Sequence, residues 1–147
     1  MAQFGRPNSD FLNTDGYTTQ AGGTVDIYLT IDEVTLDDAD YVRTIITPTS
    51  DVYVTRYTTL EDPLSSTGHI FRNRYAKSAS GGAQVDATFQ LRQAYVNEAS
   101  QGTLIVSRVF TNISDVFATD AYTLTAGEAD LITDYTNLYN RILINQV

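Results

Sequence analysis

The sequence predicts an all-β protein: an antiparallel, jelly-roll-like β-sandwich with one short helix near the C-terminus and an extended N-terminal arm. Three observations lead there. Short apolar segments recur at close spacing between clusters of Gly, Pro, Asn, Asp, Ser and Thr, the pattern of strands joined by turns. One segment, Gln84 to Tyr95, alternates Val85, Ala87, Phe89 and Leu91 with Asp86, Thr88, Gln90 and Arg92. Successive strand side chains point to opposite faces, so this alternation marks a strand with one buried and one wet face. Helix signals, finally, are confined to one place: Thr125-Ala-Gly-Glu128 has capping-box spacing, with Leu131 and Ile132 as an apolar side, so a short helix is expected over Ala126 to Thr133.

Residues 1–23 are rich in Gly, Asn, Thr, Asp and Gln without sustained periodicity, and are expected to form the arm; 24–147 form the sandwich domain. Thr24 to Thr30 is the first expected strand. Asp37-Asp-Ala-Asp40 reads as a turn, followed by a strand from Tyr41 to Ile46, an interruption at Thr47 to Asp51, and a strand from Val52 to Thr58. Glu61 to Gly68 is the longest turn cluster, and Pro63 bars a central strand there. His69 to Lys77 places Phe71 and Tyr75 on one face and Arg72 and Arg74 on the other. The loop Ser78 to Gly82, with two glycines able to take positive φ, suggests a hairpin into the strand at Gln84, which would bring Arg92 near Arg72 and Arg74. Leu104 to Phe110 and Asn137 to Ile144 complete the expected strands.

The 147 residues suit one domain with one core. Charged residues make up 18%, below the usual share of about 25%, and the net charge is −9. Nine Lys and Arg are too few to coat a phosphate backbone, so nucleic acid is not expected as a partner. No cysteine is present, which excludes disulfides and thiolate metal sites. The start lacks the apolar core of a signal peptide, and no run of 18 apolar residues occurs, so no membrane span is expected.

Candidate chemistry is sparse. His69 is the single histidine, and Thr67-Gly-His69 resembles no nucleophile turn. Paired carboxylates could hydrolyse glycosides, but such sites grip sugar rings with aromatic platforms and the chain has no tryptophan. Asp32-Glu33 with Asp37, Asp38 and Asp40 could hold calcium or be a solvated turn; the EF-hand spacing is missing. Gly22-Gly23 and Gly81-Gly82 lack the spacing and lysine of a phosphate loop. No enzymatic activity and no cofactor are expected. Eight of the nine basic residues fall in expected strands or at their ends, whereas most acids fall in connections. Arg-bearing sheet faces are therefore expected between acidic ends, with Arg72, Arg74 and Arg92, together with Phe4 and Arg6 of the arm, as a candidate interface.

The stretches Asp62-Pro-Leu-Ser-Ser-Thr-Gly-His-Ile-Phe-Arg-Asn-Arg-Tyr-Ala-Lys77, Gly81-Gly-Ala-Gln-Val-Asp-Ala-Thr-Phe-Gln-Leu-Arg92 and Asp130-Leu-Ile-Thr-Asp-Tyr-Thr-Asn-Leu-Tyr-Asn-Arg141 resemble small virion proteins of tailed bacteriophages. Ile31-Asp-Glu-Val-Thr-Leu-Asp-Asp-Ala-Asp-Tyr41 is similar to the same group, so the resemblance spans most of residues 20–145. It implies a structural protein made in the host cytoplasm that decorates or cements the capsid exterior. Its partners would be the major capsid protein and copies of itself, a trimer favoured over a dimer. An adhesion or carbohydrate-binding module on a tail or fibre is the alternative. The group's pattern has apolar or aromatic residues where this chain has Asn73 and Asn140. Strand parity points both amides inward, where each is expected to find a hydrogen-bond partner.

Overall fold

A computed structural model describes residues 5–31, 35, 37–79 and 83–147. The described residues form nine strands: β1 (Ser9–Asn13), β2 (Thr18–Thr19), β3 (Val42–Arg43), β4 (Thr49–Tyr57), β5 (Ile70–Tyr75), β6 (Val85–Gln93), β7 (Thr103–Phe110), β8 (Ala118–Thr123) and β9 (Leu138–Gln146). The one α-helix, α1, is a single turn at Ala126–Ala129. A five-stranded antiparallel sheet runs in the order β1-β4-β9-β6-β7, and two-stranded sheets pair β5 with β8 and β2 with β3.

The alternation in β6 builds the main core. Ala87, Phe89 and Leu91 meet Phe71 of β5, Val106 of β7, Leu138 of β9, and Leu124, Ala129 and Ile132 around α1. The β5–β8 pair thus lies as a second layer over one half of the large sheet. The other half of that face is covered by residues 17–31 and Val42, where Tyr17 and Ile27 pack on Tyr53. The capping box forms as its spacing predicts: Thr125 N donates to Glu128 Oε2 at 2.7 Å and Glu128 N to Thr125 Oγ1 at 3.2 Å. Between the layers, Asn140 Nδ2 donates to Asn73 Oδ1 at 3.4 Å, so the two inward amides do partner each other. Beside them burial pushes the Tyr57 hydroxyl up to about 12, while the neighbouring Asn140 and Thr55 side chains pull it back.

Four expectations are corrected. Thr24 to Thr30 is not a strand; Ile27–Thr30 is a 3-10 turn. The Asp10 carboxylate takes the N–H groups of Ile27 and Tyr28, each at 2.8 Å, and those donors are lost to any ladder. The strand expected at Tyr41–Ile46 shrinks to Val42–Arg43. β5 and β6 do not form a hairpin, since β5 pairs with β8 while β6 pairs with β7 and β9. Each has one apolar face, and those faces are stacked across the core instead of lying side by side; loop residues 80–82 fall outside the described residues. Last, the arm assigned to residues 1–23 is not separate from the sandwich where it is described. Ser9–Asn13 is the edge strand on β4, and Tyr17 is 2% exposed. Short segments carry too little periodicity to be recognised, so three strands, β1, β2 and β8, have no counterpart among the expected ones.

Candidate docking surface

The outer face of the five-stranded sheet carries the densest polar network of the described residues. Thr88, Gln90 and Arg92 of β6 stand beside Val109, Ser107 and Leu104 of β7, and beside Leu143, Arg141 and Tyr139 of β9. Directly opposed residues of an antiparallel pair share a face, so these nine side chains project together. Residues 94–102 then fold back over one end of that face. Two left-handed residues make the fold possible, Ala94 at φ 57° and Gly102 at φ 63°. A Cβ at position 102 would stand 2.1 Å from the Gln93 carbonyl oxygen, so only glycine fits. Asn97 Oδ1 closes the tip by accepting from Ala99 N at 3.0 Å and Ser100 N at 2.8 Å. The fold drives Tyr95 into an apolar cluster with Val52, Val54 and Tyr139, with the Phe11 ring edge-on to both tyrosines.

The same fold lowers Glu98 onto the sheet. Its carboxylate accepts from Arg141 Nε at 2.8 Å and Nη2 at 2.5 Å, and from the Tyr95 hydroxyl at 2.5 Å. Gln90 Oε1 bridges the two guanidiniums, accepting from Arg92 Nε at 2.8 Å and Arg141 Nη1 at 3.4 Å. Arg92 Nη1 also donates to the Gln101 carbonyl at 3.2 Å. Arg92 is 9% exposed and Arg141 6%, yet the network holds a single carboxylate, and that one is engaged by Arg141. Burial, and then the positive charge of Arg141, lower the basicity of Arg92. The hydrogen bonds from Arg141 hold the Glu98 carboxyl below its ordinary value against the opposing cost of burial. A net positive centre is thus held within a chain of net charge −9.

Apolar side chains border this centre. Leu104, 41% exposed, stands directly opposite Arg92, and Val96 is exposed on the covering loop; Val109, 63% exposed, lies further along β7 opposite Thr88. An arginine flanked by an exposed leucine in a partly desolvated network has a composition found at protein interfaces.

The other candidate residues lie elsewhere. Arg72 and Arg74 project from the outer side of β5, opposite the inward Phe71 and Asn73, and so on the far layer of the sandwich from Arg92. Arg74 is engaged by Asp38 at 2.5 and 2.6 Å and lies over the Phe117 ring; Arg72 is exposed. The three arginines therefore do not share a face, because the hairpin that would have joined them does not form. Arg6 is half-buried near the end of β4, where Asn8 N donates to the Arg56 carbonyl at 3.0 Å. Phe4 lies outside the described residues. Arg108 is held by Asp120 at 2.8 Å and Arg56 lies over the Tyr139 ring, so most strand arginines are occupied within the chain.

His69 Nε2 is 2.7 Å from the Tyr135 hydroxyl, and the nearby Ser66 hydroxyl donates to Asp130 instead of facing the imidazole. Among the described residues no group of three or more His, Cys, Asp or Glu side chains is arranged to hold a metal; Asp32 and Glu33 lie outside them. No helix among them is long and apolar enough to cross a membrane. Fold and surface together define a β-sandwich whose large sheet presents an arginine-bearing outer face. No family model, no curated protein and no solved structure matches the chain.

Proposed function

We propose that the chain is a non-catalytic structural protein of a tailed-phage virion, which binds the outside of the capsid shell and braces it through the Arg92 face. The observation that carries the docking role is the pair of buried guanidiniums sharing one carboxylate beside exposed Leu104 on the outer face of the sheet. The resemblance of residues 62–77, 81–92 and 130–141 to phage virion proteins supplies the context. A protein that binds only the assembled lattice shifts the equilibrium toward assembly by mass action, without any chemistry of its own. A sugar-binding role finds less support on this face, because Tyr95 and Tyr139 are packed against each other and Phe11, buried, and present no flat ring to a pyranose.

Co-sedimentation with empty shells of the phage that carries the chain tests the proposal. Saturable pelleting with shells, and no retention on a glycan panel, is the expected result. Retention on glycans with no pelleting would instead favour the tail-adhesion alternative.

A further inference from the structure

The seam between the two layers carries a polar spot inside the main core. Thr55 of β4 stands directly opposite Asn140 of β9, so both side chains rise from the inner face of the large sheet. Asn73 comes down to them from β5 in the covering layer. Thr55 is 0% exposed, Asn73 6% and Asn140 6%. Their neighbours on the same faces are largely apolar: Phe71 and Tyr75 flank Asn73, and Leu138 and Ile142 flank Asn140.

The bond between the two amides uses one group of each. Asn73 Nδ2, Asn140 Oδ1 and Thr55 Oγ1 are left buried without a hydrogen-bond partner among the described residues. The Tyr57 hydroxyl lies beside Thr55 and Asn140. Exchanging the oxygen and nitrogen ends of both amides reverses the bond between them and still leaves one donor and one acceptor over. A buried polar group left unpaired loses its hydration and gains nothing in return. The three atoms also specify what would satisfy them. A cation suits Asn140 Oδ1 and Thr55 Oγ1 but is repelled by the Asn73 N–H groups, and an anion suits Asn73 but is repelled by Asn140 Oδ1. A small neutral molecule that both donates and accepts suits all three, and a buried water ordinarily makes about three hydrogen bonds.

We propose that Thr55, Asn73 and Asn140 bind a water molecule between the layers, which accepts from Asn73 Nδ2 and donates to Asn140 Oδ1 and Thr55 Oγ1. The bridge ties β5 to the large sheet at one level. Sliding β5 by two residues would bring Phe71 or Tyr75 over Asn140 and leave the polar groups of the large sheet without their partner.

Oxygen-17 magnetic relaxation dispersion, which counts waters held for longer than the protein takes to tumble, tests this on the full chain. Wild type is compared with the triple variant Thr55→Val, Asn73→Leu, Asn140→Leu, in which each polar side chain gives way to an apolar one of similar shape. The triple variant is expected to hold one long-lived water fewer. Asn140→Leu alone strands Asn73 and Thr55, and is expected to melt lower than the triple variant, because removing every partner together costs less than leaving some unpaired. Equal numbers of long-lived waters in wild type and triple variant would overturn the inference, as would a single variant that melts above the triple one. Should the triple variant fail to fold, a high-resolution crystal structure of wild type decides. Density for a water within hydrogen-bond distance of the three atoms supports the site, and no density between them overturns it.

Discussion

Removal of residues 1–23 is expected to lower the stability of the domain by roughly 5 kcal/mol, enough to unfold much of the population of a typical single domain. The segment is built into the sheet at several points. Tyr17 stacks on Tyr53 with ring centroids 5.4 Å apart, and its hydroxyl donates to the Asp51 carbonyl at 3.0 Å. Asp15 Oδ2 accepts from Val52 N at 2.7 Å, and Asp10 accepts from the Tyr53 hydroxyl at 2.5 Å as well as from two backbone groups of the 3-10 turn. Losing one large buried aromatic alone costs about 3–5 kcal/mol. The truncation also strips the β1 ladder from β4 and leaves Tyr53, Val52 and Ile27 with broken contacts. Urea unfolding followed by far-UV circular dichroism measures the effect. A truncated chain that melts within a few degrees of the full one would show that these contacts carry little weight and that the segment behaves as a detachable arm.

Glu98→Gln is expected to destabilise the fold by about 2 kcal/mol at neutral pH. Breaking a fully buried ion pair costs about 3–5 kcal/mol and an exposed one less than about 1 kcal/mol. Glu98 lies between these cases, with a side chain 37% exposed against an Arg141 partner that is almost fully covered. The substitution leaves two neighbouring buried guanidiniums with no carboxylate at all, and that is why the effect exceeds the surface value. The pH dependence has a definite sign. The folded state holds the Glu98 carboxyl below its ordinary value of 4.5, chiefly through the Arg141 hydrogen bonds. The stabilisation is therefore complete above that ordinary value and disappears as pH falls through the lowered folded-state value. Unfolding curves for wild type and Glu98→Gln should be well separated at pH 7 and converge in acid, once pH has fallen through the lowered folded-state value. A gap that persists undiminished into strong acid would mean that Glu98 acts through packing and not through its charge.

The all-β class, the C-terminal helical turn and five of the longer strands (β4, β5, β6, β7 and β9) were legible because their signals are local. Alternation in β6 and the capping box at Thr125 require nothing beyond neighbouring residues. Strand pairing was not legible, because β5 and β6 have the same one-sided pattern whether they lie side by side or face to face. The short loop between them favoured the hairpin, and stacking of Phe71 on the β6 side chains decided otherwise. The candidate face was half legible. Arg92 was picked out as an interface residue, but it was grouped with Arg72 and Arg74 through the hairpin that does not form. Gln90 and Arg92 read as an ordinary wet strand face, and only the return of residues 94–102 covers Arg92. The sequence does carry a signal for that return: an Asn97 turn, Gly102, and an aromatic Tyr95 where a solvated loop needs none. Glu98, four residues before Gly102, could not be matched to Arg141 without the β6–β9 register.

Binding of Arg92→Gln and Arg72→Gln to empty shells, compared with wild type in one titration, tests the docking role most directly. The two arginines lie on opposite layers of the sandwich, and the Arg72 change serves as a control for lost charge alone. Arg92→Gln is expected to remain folded and to bind at least tenfold more weakly, a loss of about 1.4 kcal/mol or more, as for truncation of a buried interface arginine. Arg72→Gln is expected to bind within about twofold of wild type, since Arg72 lies on the layer away from the docking face. Equal binding by wild type and Arg92→Gln, or a loss confined to Arg72→Gln, would contradict the assignment of the Arg92 face.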